Sequence, residues 1–142
     1  MSNSFVSRPQ LSLASAQALV AGALEHAATI GIAISVAVTD GAGNVISSAR
    51  MDDAPLGTMR LALDKAYTAA LWHIPSGDLR LSSQPGGDDW GVTSTEGGRV
   101  VVYEGGLPIF SDGALAGAVG VSGGTGAQDA ECAQTAITSV LG

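Results

Sequence analysis

Residues 105–124 read GGLPIFSDGALAGAVGVSGG, and the reading of this stretch decides the fold. Leu107–Phe110 is a short apolar run, Asp112-Gly113 is a turn pair, and Leu115–Val121 is a second run. Two apolar runs joined by Asp-Gly read as a β-hairpin. The second run carries Ala116, Gly117, Ala118 and Gly120 between its larger residues. A strand that small-sided is poor on propensity alone, so something must pack closely over it, a helix or a ligand. Ser122-Gly123-Gly124 then permits a sharp exit into the last helix.

Working outward, Leu13, Ala16, Leu19, Val20, Ala23, Leu24, Ala27 and Ile30 recur at helical spacing. The helix spans 12–30, with Ser12 as its cap and Gly31 as its stop. Residues 34–40 and 45–50 alternate as strands around the Gly41–Asn44 turn. A second helix is expected over 59–72 with Thr58 as cap, then a short helix from Pro75 to about Leu81. Residues 82–98 are irregular, and a loop that long is usually functional or at an interface. Val100–Tyr103 is read as a fifth strand. A last helix covers 128–141. The expectation is an α+β domain over 11–142, preceded by an arm at 1–10. Its five-stranded antiparallel sheet is packed with segregated helices, and the middle helices form the one long crossover.

The chain has 142 residues, 46% apolar and 13% charged, with a net charge of −7. One lysine and five arginines argue against nucleic acid and anionic membrane surfaces as partners, because phosphate contacts need cations. The lone Cys132 excludes an internal disulfide and reads as a small buried thiol. No apolar run approaches a membrane span, and the N-terminus lacks the pattern of a signal peptide, so the cytoplasm is the default location. Ala/Gly-rich faces with sparse surface charge suggest a homo-oligomer.

Few residues can carry chemistry. There are two histidines, His26 in the first helix and His73 after the second. Neither HExxH nor CxxC occurs, so no metal site is expected. Each imidazole reads first as a surface or capping group, and either can ligate haem iron where an apolar slot lies beside it. Lys65 interrupts an apolar helix, LALDKAYTAALW. It reads blandly as a snorkelling side chain with its ammonium in water. The sharper reading is a partly buried cation that takes a carboxylate. Arg50 ends a strand and can fork onto a carboxylate or stand in solvent. The glycine pairs at 97–98, 105–106 and 123–124 can cradle an anion, but none fits a nucleotide-binding pattern.

VAVTDGAGNVISSARMDDAP, ALDKAYTAALW and GGLPIFSDGALAGAVGVSGG, followed by DAECAQTAI, resemble the GlcG/HbpS family. This is a small haem-binding and haem-degrading domain, also found as the C-terminal half of PduO-type corrinoid adenosyltransferases. The resemblance covers about residues 10–141. It implies an antiparallel five-stranded sheet in a profilin/PAS-like layout, assembly as dimers up to octamers, and haem as cofactor. It also implies His26 as iron ligand, since a first-helix histidine serves in relatives. With haem or another small acid as ligand, Lys65 and Arg50 would meet carboxylates and the Gly105, Gly106 and Gly123 amides would add hydrogen bonds. The ligand slot would be bordered by the second helix and the 105–124 hairpin. The alternative function is an enzyme, or enzyme accessory, acting on a small carboxylate in a catabolic pathway.

Overall fold

The computed structural model describes residues 3–142, so positions 1 and 2 of the expected arm lie outside the described residues. Helix α1 (Leu13–Thr29) is followed by strands β1 (Ser35–Asp40) and β2 (Val45–Arg50), then α2 (Gly57–Trp72). After a long irregular stretch come β3 (Gly106–Ser111), β4 (Ala114–Ser122) and α3 (Gly126–Leu141). The sheet is antiparallel in the order β2-β1-β4-β3. Two hairpins are thus joined by one crossover that carries the chain from one sheet edge to the other.

The sheet has four strands, not five. Residues 100–103 are not a strand, because they run against α2 instead of pairing with β3. The Val101 amide donates to Thr68 Oγ1 at 3.0 Å, so a side chain takes the place of a ladder partner. Val100 is buried with Leu79 and Val92 in a satellite apolar cluster, which satisfies the β-branched residues that made the segment look like a strand. The short helix expected to reach Leu81 is a single 3-10 turn, Ser76–Leu79.

The sheet carries α1 and α3 on one face and α2 on the other. Val36, Val38, Val119 and Val121 point into the main core with Leu19, Ala23, Cys132 and Ala136. Ala118 and Leu115 pack against Ala66, Ala69 and Ala70 of α2. The small side chains of β4 are explained position by position. A Cβ on Gly120 would collide with the Ala62 carbonyl and lie 2.6 Å from the Ala66 amide, so here α2 lies on the strand. A Cβ on Gly117 faces the other way, into the Thr39 carbonyl and to 2.7 Å from Leu11 Cδ1. The Asp112-Gly113 turn has φ of 49° and 79°, both positive, as a tight two-residue hairpin requires.

Helix ends follow local chemistry. Ser12 accepts from the Ser15 amide and caps α1. Thr125 and Gln128 form a capping box at α3. The cap expected at Thr58 is absent: α2 begins two residues earlier than expected, at Gly57, and the Thr58 hydroxyl pairs instead with Ser35 Oγ at 2.8 Å and the Pro55 carbonyl. Among the described residues no helix is long and apolar enough to cross a membrane.

Candidate functional site

Lys65 decides the geometry. It sits on the face of α2 that meets β4, and only 2% of it is exposed. The snorkelling reading therefore fails. Its Nζ donates to the Val121 carbonyl at 2.9 Å and to Asp129 Oδ2 at 2.9 Å. Asp129, in the first turns of α3, is equally buried. Its Oδ1 accepts from the Gly124 amide at 2.8 Å. Burial pushes the Asp129 carboxyl above the usual carboxylate range, opposed by the Gly124 amide and by Lys65. The carboxylate that meets Lys65 is thus supplied by the protein itself.

The glycine pairs build this pair's housing. Gly105 has φ of 127°, and a Cβ there would lie 3.0 Å from both Lys65 Nζ and Asp129 Cβ. A Cβ on Gly106 would collide with the Lys65 carbonyl, and the Gly106 amide is already spent on Ser76 Oγ at 2.9 Å. Gly123, with φ of 147°, packs on the Ala33 carbonyl. These glycines permit close approach of backbone to the ion pair, and two of their amides are drawn into the protein's own bonding, that of Gly106 by Ser76 and that of Gly123 by Asp129.

A cavity of about 300 Å³ opens beside the pair, lined by Lys65, Asp129, Leu61, Ser122, Gly124 and Gly126 and by the exposed Arg80, Tyr103 and Glu104. A second, of about 700 Å³, lies at the far side of the hairpin, lined by Arg8, Gln10, Asp40, His73 and Leu115 among others. His73 ends α2 in the left-handed region (φ 60°) and meets the Phe110 ring edge-on at 6.5 Å.

The remaining candidates are dispersed. Arg50 is exposed at the end of the edge strand. It stands opposite Ser35, which stands opposite Ser122, so it shares a row and a face with the cavity but lies two strands away. His26 projects from α1 and its Nε2 pairs with Glu131 Oε2 of α3 at 2.9 Å, with 22% of the imidazole side chain exposed. The structure therefore brings Lys65, Gly105 and Gly106 together, with Gly123 at the Asp129 side of the pair, and leaves Arg50 and His26 elsewhere. Among the described residues, no three His, Cys, Asp or Glu side chains are gathered as a metal group would need. Asp129, Arg80 and Tyr103 escaped the sequence reading because nothing in their spacing ties them to Lys65. The one available signal was the lone lysine in an apolar helix, which demands a buried anion.

The same architecture occurs in known proteins. A 15.0 kDa protein from the dhaT-dhaS intergenic region of Citrobacter freundii is 40% identical over 122 residues, covering 86% of this chain and 83% of that one. The corrinoid adenosyltransferase PduO of Salmonella typhimurium is 36% identical over 86% of this chain, which spans only 36% of that enzyme. The crystal structure of a PduOC:heme complex superposes with a TM-score of 0.89 at 35% identity, covering 92% of this chain and 95% of that one. Residues 11–138 match the HbpS-like family, described as haem degrading protein HbpS-like, and the chain belongs to that GlcG/HbpS family.

Proposed function

We propose that this protein binds haem. The observation that carries the reading is the 35% identical relative whose structure was solved as a heme complex and which covers nearly this whole chain. Haem needs an axial ligand, an apolar wall and, for its propionates, a cation. We assign the ligand to His26. Glu131 holds its Nε2, as carboxylates hold one nitrogen of the imidazoles that bind metals, so Nδ1 is the nitrogen left for iron. The haem itself would supply iron-centred redox chemistry. His73 is the competing imidazole, standing in the 700 Å³ cavity beside Arg8 and Leu115. The propionates do not belong on Lys65, which is paired with Asp129 beside a cavity too small for the macrocycle that carries them. Haem degradation, cytoplasmic location and assembly into dimers up to octamers extend this proposal.

Hemin titration into the purified protein, followed by the Soret band, tests it. Saturable binding lost in His26→Ala and kept in His73→Ala is the expected result. The reverse pattern moves the ligand to the 700 Å³ cavity, and no saturable band in the wild type removes the haem reading. A second reading, an enzyme or accessory handling a small carboxylate, is favoured by the cavity at Lys65, which is too small and polar for a macrocycle.

A further inference from the structure

The cavity beside the buried pair offers more donors than acceptors. An ammonium has three N–H donors, and the two contacts of Lys65 leave one over. The Arg80 guanidinium lines the same space and makes no ion pair among the described residues. The amide of Gly126 opens α3 and has no acceptor within the helix. Tyr103 and Ser122 add hydroxyls. On the acceptor side, each oxygen of Asp129 already takes a hydrogen bond from the protein. Glu104 is the one further carboxylate in the lining, and it is exposed to water with its side chain lying against Gly77 and Gly126. Leu61 provides one apolar wall.

An acceptor-rich ligand complements such a lining. The volume of about 300 Å³ is at the small end for ligand sites. The charge census agrees. Lys65 and Asp129 neutralise each other, and Arg80 and Glu104 both line the cavity from exposed positions, where water screens the Glu104 carboxylate. A ligand anion entering beside Arg80 therefore meets a donor-lined interior instead of the general field of the acidic protein.

We propose that the Lys65–Asp129 cavity binds a small carboxylic acid carrying a second oxygen function. Arg80 and the Gly126 amide take the carboxylate, and the remaining Lys65 N–H reaches the second oxygen. Asp129 is a positioning residue that fixes the ammonium, and Tyr103 closes the outer wall. This inference rests on the second reading above and is independent of haem binding.

The test is calorimetric titration of the haem-free protein with lactate, pyruvate and malonate, with acetate and glycerol as single-function and neutral comparators. The expected result is a Kd of about 1 mM or tighter for at least one bifunctional acid, with acetate and glycerol at least about tenfold weaker. Arg80→Gln, at an exposed position, should weaken that acid about tenfold, and Tyr103→Phe should weaken it less. Lys65→Met alone strands the buried Asp129, so the paired variant Lys65→Met/Asp129→Leu serves in its place and should abolish binding while circular dichroism shows native helix content. Acid binding that Arg80→Gln and the paired variant leave unchanged overturns the site but leaves the carboxylate reading standing. Glycerol binding as tightly as the acids overturns the ligand class. No binding by any acid overturns both the site and the reading.

Discussion

Lys65 shows what a single buried charge demands. Removing one partner of a buried pair strands the other, at a cost of roughly 3–5 kcal/mol, whereas replacing both by apolar residues is often neutral. Lys65→Ala should therefore lower the urea midpoint sharply, and Lys65→Met/Asp129→Leu should restore most of it. Charge reversal, Lys65→Glu, faces a second carboxylate at Asp129 and should prevent folding at neutral pH, not merely weaken ligand binding. Asp129 sets a pH dependence. Its carboxyl titrates higher in the folded protein than in the unfolded chain, so the native state holds the extra proton between those two values. That stabilising contribution is complete below the ordinary carboxylate value and is lost as pH rises through the raised one. Asp129→Asn should flatten the stability profile across that window, as measured by denaturant titration at a series of pH values. Cys132 is pushed up to about 11 by burial and by the nearby Asp129 and Glu131. Native protein at pH 8 should resist alkylation, with full labelling in denaturant, since the thiolate is the reactive form.

At the scale of elements, β4 is the strand whose glycines matter. Gly120→Val drives a side chain into the backbone of α2, and Gly117→Val drives one into Thr39 and Leu11. Each should cost at least about 1–3 kcal/mol, the usual penalty of overpacking, and Gly120→Val more, because both of its shortest contacts are backbone of α2, whereas Gly117 meets one carbonyl and the movable end of Leu11. Thermal melts of the two variants check the order. The helices and four strands were legible from periodicity and turn chemistry, down to the paired positive φ at Asp112 and Gly113. Close packing over β4 was legible from Gly117 as a residue, but its direction was not. Composition shows that a neighbour is near, and only the pleat shows that it is Leu11 at one position and α2 at the other. Residues 100–103 misled because β-branched residues record burial, and burial against Leu79 and Val92 looks the same in sequence as burial in a sheet. Lys65 was legible as unusual, while Asp129 lay 64 positions away with no pattern to join them.

At the scale of the molecule, apolar side chains remain outside. Phe5 and Val6 in the arm are 90% and 75% exposed, and Trp72, Trp90 and Phe110 are each substantially exposed. Exposed apolar side chains of this kind favour association, against the mutual repulsion of copies that each carry a net charge of −7. We expect a homo-oligomer in solution. Light scattering at micromolar concentration should give at least twice the 14.0 kDa chain mass, and Phe5→Ser/Val6→Ser should reduce it. A single 14.0 kDa species would exclude assembly.

The strand order carries one more consequence, for the time course of folding. The two central strands, β1 and β4, come from opposite ends of the chain, and the long crossover separates them. While the protein emerges from a ribosome, β1 has only β2 beside it, and its other edge stays open until residues 114–122 arrive. The central ladder, both helical layers and the lysine–aspartate pair thus close together, late and in one step. Non-local pairing of this kind places folding in the millisecond-to-second range typical of high contact order. A nascent chain stalled before Ala114 should remain protease-sensitive throughout, and one extended past Leu141 should become resistant as a unit.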